Sequence, residues 1–287
     1  MRDRNSIVLT ALRTMAILLC ASSILGWAQS PLSTVLYSSG TTAQYYLTTN
    51  SHIEEIYNNP DGTFGYQDNT ALTGAPLAGA GSPLATLLYS SGTTAQYYVS
   101  SASHVQEIWN NPDGTFGYQD NTALAGAPAA AASSPLSIVL YSTGTTAQYF
   151  LTSSGHVVEI INNPNGTVSY QDNTSLTGAP VAAVGSPLAT VLYSSGTTAQ
   201  YYLSSDGHVQ EIWNNPDGTF GHQDNTALAG SPTARSSSPL RIVLYSTGTT
   251  AQYFLTSSGH VVEIINNPNG TVSYQDNTAL TGAPVAR

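Results

Sequence analysis

The chain has 287 residues with a formal net charge of −10, and it contains no lysine at all. Beyond position 28 its only basic residues are Arg235, Arg241 and Arg287, so it has no cationic footprint for nucleic acid or for an anionic membrane surface. Only 8% of residues are charged, so the surface is mostly Ser, Thr, Asn, Gln and Tyr, which suits neutral, hydroxyl-rich ligands better than phosphates or carboxylates.

The first 28 residues read as a secretory signal. Arg2, Arg4 and Arg13 form a basic start, Met15 to Trp27 is almost wholly apolar, and Gly26-Trp27-Ala28 offers small residues at a cleavage site. Cleavage after Ala28 implies a secreted or periplasmic protein with no membrane insertion afterwards, and with no cysteine, because Cys20 is the only one. Such a chain has neither disulfide nor thiolate chemistry and is held by core packing.

Beyond the signal, one unit is written five times. Ser-Pro-Leu recurs at Ser30, Ser82, Ser134, Ser186 and Ser238, always 52 residues apart, which divides a single domain (29–287) into repeats 30–81, 82–133, 134–185, 186–237 and 238–287. Copies three and five differ over 49 residues only at Ser137/Arg241 and Ser175/Ala279, and copies two and four both read EIWNNPDGTFG. The chain therefore has the form of a two-repeat unit that was itself duplicated.

Within the first copy, Thr34–Ser38 predicts a strand and Ser39-Gly40-Thr41 a turn, followed by a second strand at Ala43–Thr48. Thr49-Asn50-Ser51 turns again, with Gly155, Gly207 and Gly259 at that turn in later copies, and a third strand runs from His52 to Asn58. Asn59-Pro60-Asp61-Gly62 is a hairpin turn, since Pro presets φ and Gly accepts positive φ, and Thr63–Asp68 is the fourth strand. The Ala/Gly/Pro-rich stretch from Asn69 to Ser82 reads as a connector without helical period. Four strands joined by tight turns and repeated five times predict an all-β, five-bladed β-propeller with four antiparallel strands per blade. An open β-solenoid is the alternative architecture, but its coils are shorter and lack these hairpins.

The segment GHVQEIWNNPDGTFGHQDNTALAGSP, Gly207 to Pro232, resembles the repeat of the fucose-specific lectins and related bacterial propeller lectins. The resemblance extends over all five copies. It implies multivalent, weak binding of neutral sugars such as fucose in pockets between blades, with glycans or glycoconjugates as partners and no cofactor. A pocket of that family pairs an Arg and a Glu with an aromatic ring that stacks on the sugar. The Glu is met at Glu55, Glu107 and Glu211, and as weaker candidates at Glu159 and Glu263; the aromatic is met at Tyr57, Trp109 and Trp213, while copies three and five have Ile161 and Ile265. The Arg is missing from every repeated position.

Each assignment has a structural counterpart. A repeated Glu also serves to tie adjacent blades, and a Trp to pack them. The five repeated His (His52, His104, His156, His208 and His260) are spaced around a ring and so are too far apart for a metal; they fit turn-capping or blade-linking hydrogen bonds. Gln44 and Tyr45 and their equivalents fit inner-strand hydrogen bonding. Glycoside hydrolysis needs two differentiated carboxylates on one bond, whereas here every blade carries the same ones, so the chain reads as a binding protein rather than an enzyme. A non-catalytic scaffold for protein–protein interaction is the alternative function, and oligomerisation is left open.

Overall fold

A computed structural model describes residues 31–287; the signal segment, Cys20 and Ser30 lie outside the described residues. Five four-stranded antiparallel sheets follow one another along the chain, each in simple meander order. The first blade comprises Leu32–Leu36, Thr42–Leu47, Ile53–Asn58 and Phe64–Asp68. The second comprises Leu84–Leu88, Thr94–Val99, Val105–Asn110 and Phe116–Asp120. Blades three, four and five repeat this from Leu136, Leu188 and Arg241 and end at Asp172, Asp224 and Asp276. The first strands of consecutive blades pack on one another around the centre, which makes the fourth strands the outer ones.

The expected strands form, with ends shifted by one or two residues. The connector differs from expectation. It opens with a five-residue helix in every copy, as at Asn69–Thr73. Its ends explain it. The Asp68 carboxylate accepts from the Ala71 N–H at 2.8 Å, capping the start, and Gly74 at φ 68° closes the end in the left-handed region. A single capped turn is too short to produce a hydrophobic period.

Each helix that has a following blade leans on the third and fourth strands of that blade, and its Thr fixes it to its own blade: the Thr70 hydroxyl accepts from the Ile53 N–H at 2.8 Å. After the connector, the Ser of Ser-Pro-Leu accepts the backbone N–H of the second strand, as Ser82 does from Val99 at 2.9 Å. Thus the repeated Ser marks the point where the chain is fastened into a new blade.

Alternation along the strands gives each sheet two faces, and in blades two, three and four both are buried. One face, carrying Tyr45, Ile53, Glu55 and Tyr57 in blade one, looks toward the next blade. The opposite face, carrying Thr94, Gln96, Tyr98 and Ile108 in blade two, looks back. These four are fully buried, and Tyr98 and Ile108 share one apolar cluster with Tyr45 and Ile53. The core is therefore a series of inter-blade layers, not one central mass.

Candidate functional site

The third strand places the Glu and, two residues on, the aromatic on the face that looks toward the next blade. The Glu is buried: Glu107 is 5% exposed and Glu159 2%. Its acceptors are occupied by the protein. Glu107 Oε1 accepts from Tyr97 Oη at 3.0 Å, and Oε2 from Gln119 at 2.9 Å, Asn121 at 3.1 Å and, across the junction, Asn162 of blade three at 3.3 Å. Glu211 repeats this with Tyr201, Gln223, Asn225 and Asn266 at 2.9–3.1 Å. Glu55 accepts from Gln67, Asn69 and Asn110. Burial pushes the Glu107 and Glu159 carboxyls above their ordinary value, against the opposing pull of these donors.

The helix Asn also reaches the second strand of the following blade: Asn121 donates to Gln148 Oε1 at 2.9 Å and Asn225 to Gln252 at 3.0 Å. Glu, Gln and Asn thus form one polar layer across each formed junction. None of the Asn and Gln donors on the carboxylates is singled out by the sequence reading. Their signal is present in the unvaried QDN and NN strings of every copy.

The aromatic position is half-buried and has a partner that the sequence reading also misses. Trp109 pairs across strands with Gly117, Trp213 with Gly221 and Tyr57 with Gly65, whereas Ile161 and Ile265 pair with Ser169 and Ser273. A Cβ at Gly117 or Gly221 would lie 2.3 Å from the indole, and one at Gly65 2.2 Å from the phenol. The ring therefore lies over the glycine of the fourth strand. Ring and glycine occur together in copies one, two and four; Ile and Ser occur together in copies three and five.

Beside these residues, on the side where the first two strands and the last two strands turn, clefts open between blades. The cleft between blades four and five holds about 380 Å³ and is lined by Tyr193, Ser195, Glu211 and Trp213 on one wall and Thr247, Asn266, Asn267 and Pro268 on the other. The cleft between blades two and three holds about 340 Å³ and is lined by Tyr89, Thr143, Thr146, Asn162, Asn163 and Pro164. The two clefts are one repeat pair apart in sequence. Each has a Tyr at its wall that leads inward to the buried Glu: Tyr89 Oη lies 3.0 Å from Tyr97 Oη, which donates to Glu107. Burial, and then the Glu107 charge, push the Tyr89 phenol up to about 12, so it stays a neutral hydroxyl that can both donate and accept.

The structure brings Glu211 and Trp213 together at a cleft wall. Glu107 and Trp109 hold the same strand positions in blade two, though the lining of that cleft is Tyr89 and the turns of blade three. Glu159 sits in the same network two residues before Ile161, and Glu263, two before Ile265, keeps the donors of its own blade. Each of the five repeated His, just before the third strand, bonds through Nδ1 to the capping Asp at 2.6–2.7 Å, fastening the turn after the second strand to the helix start, at the ends of the strands opposite the clefts. Among the described residues no group of three His, Cys, Asp or Glu is placed to hold a metal.

No family profile and no curated protein sequence matches the chain. Among solved structures it is similar to the BP39L lectin from Burkholderia pseudomallei, at 12% identity over 85% of this chain and 68% of that one, with a TM-score of 0.63. It is also similar to the six-bladed Aleuria aurantia lectin, described with a novel fucose recognition mode, at 16% identity over 89% and 81%, TM-score 0.57. A third is an Arg-to-Ala triple mutant of AofleA from Arthrobotrys oligospora, at 15% identity over 90% and 73%, TM-score 0.57. The chain has the propeller fold of these lectins, built from five blades where the Aleuria protein has six.

Proposed function

We propose that this protein is an exported lectin that binds neutral sugars weakly in the clefts between its blades. The observation that carries the reading is the cleft between blades four and five. There an indole ring, a neutral tyrosine hydroxyl, Ser and Thr hydroxyls and two Asn amides line one space. A sugar needs an apolar plane for its C–H face and mixed donors and acceptors for its hydroxyls, and that lining supplies both. In this reading the Glu supports the site from behind. With its acceptor positions taken by protein donors, it orients Tyr201 and through it Tyr193, which lie 3.2 Å apart. The similarity to lectins crystallised with fucosides adds weight to a sugar over another neutral ligand.

Export follows from the basic and apolar start of the sequence, and multivalency from the repetition of the clefts, since weak sites on one rigid body act together on a glycan surface. The test is a glycan array and calorimetry on the Trp109→Ala/Trp213→Ala variant. The parent should bind with a per-site Kd on the order of 0.1–1 mM, about −4 to −5.5 kcal/mol. The variant should lose most binding while its β-rich circular dichroism is unchanged; equal binding by a folded variant would refute the assignment.

A further inference from the structure

Among the described residues four junctions between blades are formed, and the Glu, Asn and Gln positions of a fifth are present without the bonds that would cross it. In each formed junction an Asn at the end of one third strand donates to the Glu of the preceding blade: Asn110 to Glu55, Asn162 to Glu107, Asn214 to Glu159 and Asn266 to Glu211. The helix Asn of the preceding blade donates to the Gln of the next, from Asn69 to Gln96 through to Asn225 to Gln252. By the same period the fifth junction would join Glu263 to Asn58 and Asn277 to Gln44. Among the described residues no bond joins them. Glu263 accepts only from Tyr253, Gln275 and Asn277 of its own blade, and Gln44 turns back to Thr42 at 3.2 Å. The last helix packs on no following blade, and the first strand of blade five is not packed on that of blade one as the other first strands pack on each other.

The two outward faces are also the apolar ones. Leu32 is 67% exposed where its equivalent Leu84 is 7%. Phe64 and Tyr66 are exposed at 72% and 77%, and Val243 is 43% exposed where Val191 is 5%. Exposed apolar side chains gain by leaving water, so two facing sets of this size are strongly driven to be covered.

We infer that the back of blade one docks on the front of blade five of the same chain, closing the ring through a fifth copy of the Glu–Asn–Gln junction. Two features of the molecule select this occupant. The faces are the two halves of an interface that the molecule already forms four times, with the same Glu, Asn and Gln positions; they depart from it at Arg241 on the front of blade five, where blade four has Ala189, and at Glu54 on the back of blade one, where blade two has Gln106. Being tethered, the intramolecular faces also meet at a high effective concentration. Closure would create a fifth cleft between the turns at Tyr245 and Asn59-Pro60, with Ile265 and no ring at its wall.

The test is a pair of pulsed electron-resonance distances on the full chain in a Cys20→Ser background. Spin labels at Ser246→Cys and Ser39→Cys bridge the fifth junction. Labels at Ser194→Cys and Thr247→Cys occupy the equivalent positions at the formed junction of blades four and five and serve as the ruler. Closure gives the two pairs the same distance distribution. A fifth-junction distance longer than the ruler by about 10 Å or more, the spacing of one packed sheet, overturns the inference. So does a short distance that disappears when labelled chain is diluted with unlabelled chain, because the faces would then be mating between molecules.

Discussion

Blades two and three share a backbone, a capped helix and a buried Glu with the same four kinds of donor, and they differ at the place where a ligand would touch. Two residues beyond the Glu, blade two has Trp109 lying over Gly117, and blade three has Ile161 beside Ser169. The Glu position answers to the polar layer of the junction, which is alike wherever a junction is formed. The position after it answers to the cleft, and there the chain has diversified, always two residues at a time. In this protein the residue that never changes between copies is a poor guide to the ligand, and a coupled alternating pair is a better one only where it is half-buried at a cleft, because Tyr98/Gln106 and Phe150/Val158 alternate in the same way inside the core.

The largest effect should come from attacking what the two blades share. Glu107→Leu and Glu159→Leu each leave Tyr, Gln and two Asn donors buried without an acceptor, and each should cost roughly 3–5 kcal/mol in urea unfolding. The two costs should be alike, because the network does not depend on Trp or Ile. Gln at either position keeps an oxygen for the amide donors and lets its own NH₂ donate to the Tyr oxygen. It should therefore be tolerated. It should also change the pH dependence. Burial raises both native carboxyls above 4.5, so the folded state holds their protons longer than the unfolded chain does. Their contribution is fully present below 4.5 and is lost as pH rises through the native values. The capping Asp120 and Asp172 act in the opposite sense: burial raises them, but backbone and His donors outweigh it and leave them low, so their contribution is lost as pH falls. The double variant Glu107→Gln/Glu159→Gln should flatten the decline above pH 4.5 and leave the acid limb in place. An unchanged decline would mean that these carboxyls are ionised in the native protein at their ordinary pH.

A smaller effect should come from exchanging what the blades do not share. Gly117→Ala places a methyl 2.3 Å from the Trp109 ring, so the ring must lift. The expected cost is about 1–3 kcal/mol of overpacking, with binding at that cleft reduced. The reverse exchange is the sharper test. Ile161→Trp alone meets the Ser169 side chain and should destabilise with no gain in sugar binding. Ile161→Trp together with Ser169→Gly should recover stability and add a site, seen as an increase in calorimetric stoichiometry. Two independent, additive mutations would break the comparison, since a ring seated over a glycine requires them to couple.

Much of the fold is legible in the sequence because its causes are local and occur five times. Ser-Pro-Leu marks the period, Asn-Pro-Asp-Gly the hairpin, and alternation such as Ile53, Glu55, Tyr57 the shared face. The five-residue helices are not legible, although Asp68 and Gly74 carry both caps of the first, because a lone turn has no period to detect. The pairing of Glu and aromatic on one face is legible for the same reason as the strands. Its surroundings are not. The donors that saturate Glu107 come from its own blade's second and fourth strands, the helix and the next blade, and a contact such as Asn162 to Glu107 spans 55 positions. Only the assembled junction brings those together, and the open fifth junction is visible only there.

The smallest expected effect lies at the turn before the third strand, where blades two and three again differ. Ser103 holds φ 65°, and its equivalent Gly155 holds φ 81°. The left-handed region costs a residue with a Cβ about 1–2 kcal/mol, while glycine occupies it freely. Ser103→Gly relieves that strain but loosens the unfolded chain by about 0.4–1 kcal/mol, so the net gain should be on the order of 0.5–1 kcal/mol. Gly155→Ala should do worse than lose the same amount. Its Cβ would lie 2.4 Å from the Ala182 carbonyl oxygen, where the connector to the next blade presses on the turn: the Ala182 N–H donates to the Gly155 carbonyl at 2.8 Å. Blade two makes the same contact from Ala130 to Ser103 at 2.9 Å. The serine turn thus keeps the same connector contact with a Cβ in the left-handed region, and the gain at Ser103 should be matched by one of similar size at Ser51, which holds φ 65° in blade one. If Ser103→Gly and Ser51→Gly both leave the urea midpoint unmoved, the strain at this turn is relieved elsewhere in the blade. The two kinds of turn would then be equivalent, and the pair at the cleft would be the difference between neighbouring blades that matters for the comparison.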